Sequence, residues 1–118
     1  MTVYAFDVDH TLWLSQGPVQ LSHLTGLRQG GGHIVGLCGN WAVVTWHLKG
    51  WHHLFSFIGP MAMTKALFLA QIKQYVPAER YVFVGNDPAF YGESQDKAAA
   101  EEAGWQFLRE VEFVEGSR

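Results

Sequence analysis

The sequence predicts an α/β domain, a three-layer sandwich in which five parallel strands carry helices on both faces. Two features predict it. Short apolar runs rich in strand formers alternate with helical stretches from one end of the chain to the other. The runs also lack strict polar–apolar alternation, as strands buried on both faces do.

The first run, Val3 to Val8 (VYAFDV), has Asp7 and Asp9 at its C-terminal end. TLWLSQGP follows, and Gly17-Pro18 marks a turn, so residues 12–19 form a small hairpin or flap. Leu21, Leu24 and Leu27 recur at helical spacing, and that helix ends before Gly30-Gly31-Gly32. Gly26 weakens it by about 1 kcal/mol relative to Ala. His33 to Cys38 (HIVGLC) is the second strand, closed by Gly39-Asn40. A helix is expected over Trp41 to Lys49, although Val43, Val44 and Thr45 are poor helix formers.

Leu54 to Ile58 (LFSFI) reads as the third strand, ended by Gly59-Pro60. Thr64 to Tyr75 is the best helix, with Phe68, Ile72 and Tyr75 at i, i+4 and i+7, and Pro77 stops it. Tyr81 to Val84 is the fourth strand, broken by Gly85-Asn86-Asp87-Pro88. Asp96 to Ala103 is an alanine-rich helix with Ser94 near its N-cap and Gly104 past its end. Trp105 to Leu108 is the fifth strand, and from about 109 the chain reads as a polar tail.

The chain has 118 residues, the size of one domain spanning 1–118. With 48% hydrophobic and 16% charged residues, a packed core is expected rather than disorder. Eight Phe, five Trp and four Tyr exceed what the core needs, so some are expected around a cleft or at a subunit contact. The formal net charge is -3 and the eight Lys and Arg are scattered, which gives no strong nucleic-acid signal. Cys38 is a single cysteine, so no internal disulfide forms and a reducing compartment is expected. Acids interrupt the N-terminal run, so it is no signal peptide, and no apolar run approaches the ~20 residues of a membrane helix. A soluble cytoplasmic protein with no membrane partner is the expectation.

Ligands of open α/β sheets bind beyond the carboxyl ends of the strands. Asp7 and Asp9 follow the first run, Cys38-Gly39-Asn40 the second and Asn86-Asp87 the fourth, while Lys65 begins the best helix. Two carboxylates at i and i+2 point the same way in extended chain and repel each other, which a divalent cation relieves. Phosphoryl transfer uses such a pair: one acid attacks phosphorus and the other shuttles the proton. A magnesium ion and a lysine offset the anionic charge. The plain alternative is that two acids end a buried strand where the chain reaches water.

The run Asp7-Val8-Asp9-His10-Thr11 resembles the first motif, DxDxT, of the haloacid-dehalogenase superfamily. Cys38-Gly39-Asn40 resembles its second motif, Lys65 its third, and VGNDPAFYGESQDKAAAEEAGW its fourth, with Asp96 in the later acidic position. The resemblance covers Val3 to about Leu108 and implies a Rossmann-like core. By it, Asp7 is the nucleophile and a metal ligand. Asp9 is the acid/base, its carbonyl on the metal, and Lys65 the charge stabiliser. Thr11, Cys38, Gly39 and Asn40 bind the phosphoryl group, and Mg2+ is the cofactor. An acid at Asp9 is what the superfamily's phosphatases carry and its dehalogenases lack. The implied activity is hydrolysis of a phosphate monoester through an aspartyl phosphate.

Two positions depart from the pattern. Cys38 stands where a hydroxyl normally donates to the phosphoryl group, and a thiol is a weaker donor; the backbone NH of Gly39 is the expected substitute. The fourth motif aligns Asn86 with the metal ligand and leaves Asp87 one residue late; Asp87 is the expected ligand, with Asn86 the neutral alternative. Both departures make a second reading worth carrying: a catalytically weak or inactive member of the same fold, used for binding or assembly.

The six histidines suggest no zinc site, because His52 and His53 are adjacent and no HxxxH or Cys pair accompanies them. His10 is placed to touch a leaving group, and Trp13 either stacks on substrate or packs. The glycines at 30–32 precede a strand and form a loop, not a dinucleotide fingerprint. A receiver domain is set aside, because the third strand ends in Ile58-Gly59-Pro60 with no acid to phosphorylate. Neither the gap from Asp9 to Cys38 nor that from Asn40 to Lys65 has room for a cap domain. The resemblance implies that such cap-less proteins take large or macromolecular phosphorylated substrates or cover the site with a neighbouring subunit, as a homo-oligomer.

Overall fold

The computed structural model describes every residue except Tyr91 and Glu93, two positions of the fourth-motif run. Five strands, β1 (Thr2–Phe6), β2 (Ile34–Cys38), β3 (Phe57–Gly59), β4 (Arg80–Gly85) and β5 (Gln106–Arg109), form one sheet in the order β3-β2-β1-β4-β5. Every pairing is parallel. β1 is central and buried at all five positions, which accounts for its unbroken apolar character. The chain leaves β1 for β2 on one side and later reaches β4 on the other. The strand order therefore reverses at the C-terminal end of β1, where open sheets form their crevice.

Alternate residues of the strands enter two separate apolar layers. Tyr4, Phe6, Val35, Leu37, Val82 and Val84 face a layer that also holds Leu24 of α1 (Leu21–Thr25), Val44 of α2 (Trp41–His47) and Leu54 of α3 (Trp51–Leu54). Val3, Ala5, Cys38 and Phe83 face the other, with Leu69 of α4 (Lys65–Tyr75) and Ala100 of α5 (Asp96–Ala103). Helices thus cover both faces of the sheet. Among the described residues no helix is long and apolar enough to cross a membrane.

Several elements differ from the sequence expectation. β1 ends at Phe6, so Asp7 and Val8 lie past the strand, although the Asp7 amide still donates to the Val84 carbonyl at 2.9 Å. The helix expected over Trp41 to Lys49 ends at His47, and a separate turn, α3, forms beyond Gly50. The third strand is Phe57–Gly59 and not Leu54–Ile58, because Leu54 and Phe55 turn into the first apolar layer before the chain joins the sheet. α1 stops at Thr25, and Gly26 opens a π-helical turn, Gly26–Gly30, instead of ending the coil.

In α4, Phe68 and Ile72 of the expected face pack against the second apolar layer beside the buried Leu69, whereas Tyr75, in the last turn, is exposed. Thr64 caps that helix, its hydroxyl accepting from the Leu67 amide at 3.2 Å. The polar tail is the largest correction. Glu110–Val114 is a helix, α6, and Phe113 is fully buried, its ring centroid 5.2 Å from that of Phe6. Phe113 enters the first apolar layer with Val114 packed beside it, against residues distant in the chain.

The expected flap is a closed loop. Leu12 and Val19 bridge at its base and are fully buried, and a 3-10 turn, Trp13–Ser15, lies at its tip. Trp13 packs against the first apolar layer, which favours its packing role.

Candidate active site

Asp7 follows the central strand directly, so the sheet carries its side chain into the crevice at the switch point. It is 5% exposed and each carboxylate oxygen has a donor. Oδ1 accepts from Lys65 Nζ at 2.9 Å and Oδ2 from Asn86 Nδ2 at 2.9 Å. Gly39, at the end of β2, makes this approach possible: a Cβ there would fall 2.2 Å from Asp7 Oδ1. Lys65 is the first residue of α4, and its ammonium also donates to Asp96 Oδ1 at 2.7 Å.

Asp96 opens α5 and is almost fully buried; its second oxygen accepts from the Asn86 backbone amide at 2.9 Å. Gly85 leaves the room for it, since a Cβ there would lie 2.6 Å from Asp96 Oδ2. Ser94 fixes the entry to α5, its hydroxyl donating to the Asn86 carbonyl at 2.7 Å and accepting from the Asp96 amide at 3.3 Å.

Asn86 is the meeting point of the strand ends. Its Nδ2 donates both to Asp7 Oδ2 and, at 2.8 Å, to the backbone carbonyl of Asp9. Its Oδ1 accepts from Thr11 Oγ1 at 3.4 Å. Asp9 points into solvent, where Oδ1 accepts from Ser15 Oγ at 2.8 Å and from Asn40 Nδ2 at 3.5 Å. These groups border an open cleft of about 960 Å³, lined by Asp7, Asp9, Asn40, Lys65, Asn86 and Asp96 among others. His10, in the left-handed region at φ 58°, also lines it.

Other expected residues lie elsewhere. Cys38 is fully buried in the second apolar layer and does not line the cleft; burial pushes its thiol up to about 12, so it is a neutral core residue. The Gly39 amide, its expected substitute, donates to the Gly59 carbonyl within the sheet at 2.9 Å. Thr11 is also fully buried and holds Asn86 from behind rather than facing the cleft. Asp87 turns away: Oδ1 accepts from the Ala89 amide at 2.9 Å and Oδ2 faces Lys97 at 3.8 Å. Asn86, not Asp87, is therefore the fourth-strand residue brought to Asp7. The exposed aromatics Trp46, Tyr75 and Phe90 do not line the cleft.

Two residues were under-read from the sequence. Asp96 had a place in the fourth motif but no role, and it is the anchor of both Lys65 and the Asn86 backbone. Ser15 carried no signal, because its contact with Asp9 depends on how the 12–19 loop folds back.

Burial is the main force on the Asp7 carboxyl and, with the like charge of Asp96, it outweighs Lys65 and pushes Asp7 up to about 7. Burial works against the Lys65 ammonium, but the two carboxylates overcome it and hold Lys65 charged, above its ordinary range. Among the described residues no three His, Cys, Asp or Glu side chains gather as a metal site. The oxygens that converge on the Asn86 amide nitrogen are one carboxylate oxygen of Asp7 and the Asp9 carbonyl. No protein-family model, curated protein or solved structure matches the chain.

Proposed function

We propose that the chain is a cap-less, magnesium-dependent phosphohydrolase of the haloacid-dehalogenase type, with Asp7 as nucleophile. The observation that carries this reading is the buried Asp7–Lys65–Asp96 chain at the end of the central strand, open to one cleft beside Asp9.

The donor types suit a magnesium ion, which takes oxygen ligands: the Asp7 carboxylate, the Asp9 carbonyl and the Asn86 side-chain amide are the groups that would hold it. Asp7 Oδ2 and the Asp9 carbonyl lie 2.9 and 2.8 Å from the Asn86 amide nitrogen. With its amide turned over to present Oδ1, Asn86 would join Asp7 and the Asp9 carbonyl in holding the ion. Bound there, magnesium supplies positive charge that offsets the repulsion between the phosphate and Asp7.

The chain's own residues do the rest. An oxygen of Asp7 attacks phosphorus, and the bond to the ester oxygen breaks as the aspartyl phosphate forms. Asp9, held by Ser15 and facing the cleft, gives its proton to the departing oxygen. In the second half it takes a proton from water, which attacks the same phosphorus and frees Asp7 and inorganic phosphate. Lys65 neutralises the phosphoryl oxygens, and Asp96 keeps its ammonium aimed at them. The segments that would house a cap are short: α1 with its π-helical turn, and α2 with α3, all packed on the first apolar layer. The cleft is left open.

One observation favours a non-catalytic binding module: Cys38 and the Gly39 amide are both spent inside the fold, leaving the phosphate fewer donors than the resemblance implies. The deciding assay uses a chromogenic phosphate ester with and without magnesium, beside Asp7→Asn. The hydrolase reading expects turnover that needs both the metal and Asp7. Folded protein without turnover across a broad phosphate panel decides for the binding module.

A further inference from the structure

The cleft does not end at the Asp7–Lys65 centre. It continues along α5, where Gln95, Ala98 and Glu102 line it at i, i+3 and i+7, one stripe of that helix. At 1.5 Å of rise per residue, Glu102 lies roughly 9 Å along the helix axis from Asp96. Ala66 at the start of α4, with Ala98 and Ala99, keeps this arm free of bulky side chains.

Its charge is one-sided. Among the described residues that line the cleft, Lys65 is the lone lysine or arginine, against the carboxyl groups of Asp7, Asp9, Asp96 and Glu102. Lys65 is already held by Asp7 and Asp96. A second phosphate or a carboxylate on the leaving group therefore meets no further lysine or arginine among the described lining residues, and near Glu102 it meets a like charge. A positive group there is attracted.

Resting on the hydrolase reading above, we infer that the preferred substrate is a phosphate monoester whose leaving group carries an ammonium at the far end of a short chain, with Glu102 as the residue that selects it. Nucleoside di- and triphosphates and sugar bisphosphates are disfavoured by the same charge balance.

Three esters of equal reach test this on the full chain with magnesium: aminohexyl phosphate, hexyl phosphate and carboxypentyl phosphate. An exposed ion pair is worth a modest factor, so kcat/KM for the amine should exceed that for the hexyl ester by roughly two- to five-fold, with the carboxylate slowest. The difference should lie in KM and shrink in high salt. Glu102→Gln should bring the amine-to-hexyl ratio close to one, and Glu102→Lys should make the carboxylate the better substrate. Turnover of all three at equal efficiency, or a ratio that Glu102→Gln does not move, overturns the inference and leaves the hydrolase intact. No turnover of any ester overturns both.

Discussion

The side-chain amide of Asn86 lies 2.9 Å from Asp7 Oδ2 and, through the same nitrogen, 2.8 Å from the carbonyl of Asp9. One NH2 group thus holds together the two oxygens that a cation would bridge. It fixes their spacing without adding a further buried carboxylate to the pair Asp7 and Asp96. Thr11 supports the arrangement from behind, and its hydroxyl can donate or accept, so it suits either orientation of the amide.

Asn86→Asp should therefore act in opposite directions on the two states. Without magnesium, a carboxylate beyond that of Asp96 would face Asp7 and a carbonyl, and the protein should lose on the order of 1–3 kcal/mol. With magnesium, a charged ligand replaces a neutral one and the apparent affinity should rise about ten-fold or more. Thermal melts across a magnesium titration read both effects; a variant as stable as the wild type without metal would show that the amide bridge contributes nothing.

The Asp7 carboxyl, pushed by burial up to about 7 from an ordinary 3.8, would make the proposed magnesium binding pH-dependent. Its folded-state value lies above the unfolded one, so the folded protein binds more protons between about pH 4 and 7. In the metal-free protein this group's contribution to stability is largest below that window and falls as pH rises through it. A cation binds the ionised form, so the increase in Tm produced by magnesium should be small at pH 5 and larger at pH 8. A shift of equal size at both values would count against ligation by Asp7.

Asp96 touches neither the expected phosphate position nor the leaving group, but it anchors Lys65 at 2.7 Å and the Asn86 amide at 2.9 Å. Asp96→Asn removes the charge from one of these bonds and the acceptor from the other. Charge-assisted hydrogen bonds of this kind are worth about 1.5–3 kcal/mol each. Turnover of the chromogenic ester should fall roughly ten- to hundred-fold, mostly in kcat, with a lower Tm. Unchanged kcat would remove Asp96 from the catalytic arrangement.

Phe113 closes the core from the C-terminal helix, packed edge-on against Phe6 and Tyr4. Phe113→Ala should cost about 3–5 kcal/mol, a large share of a small domain's stability. Urea melts followed by circular dichroism measure it. A loss under about 1 kcal/mol would mean that α6 docks without its aromatic anchor.

The alternation of apolar runs with helical stretches was enough to call five parallel strands, because a strand buried on both faces has an apolar signature of its own. The residues that gather at one cleft were equally legible, since Asp7, Asn40, Lys65 and Asn86 all lie near local breaks at one edge of such a sheet. Which neighbour faces inward was not. Beyond a strand end the backbone leaves its two-residue period, so whether Asn86 or Asp87 meets Asp7 depends on the loop toward α5, where Asp96 takes the Asn86 backbone amide. Tertiary packing likewise decided that Cys38 enters the apolar layer and that Phe113 draws an acidic tail onto the sheet. Periodicity is a property of neighbours along the chain, whereas these outcomes are set by cavities and donors contributed from far away in it.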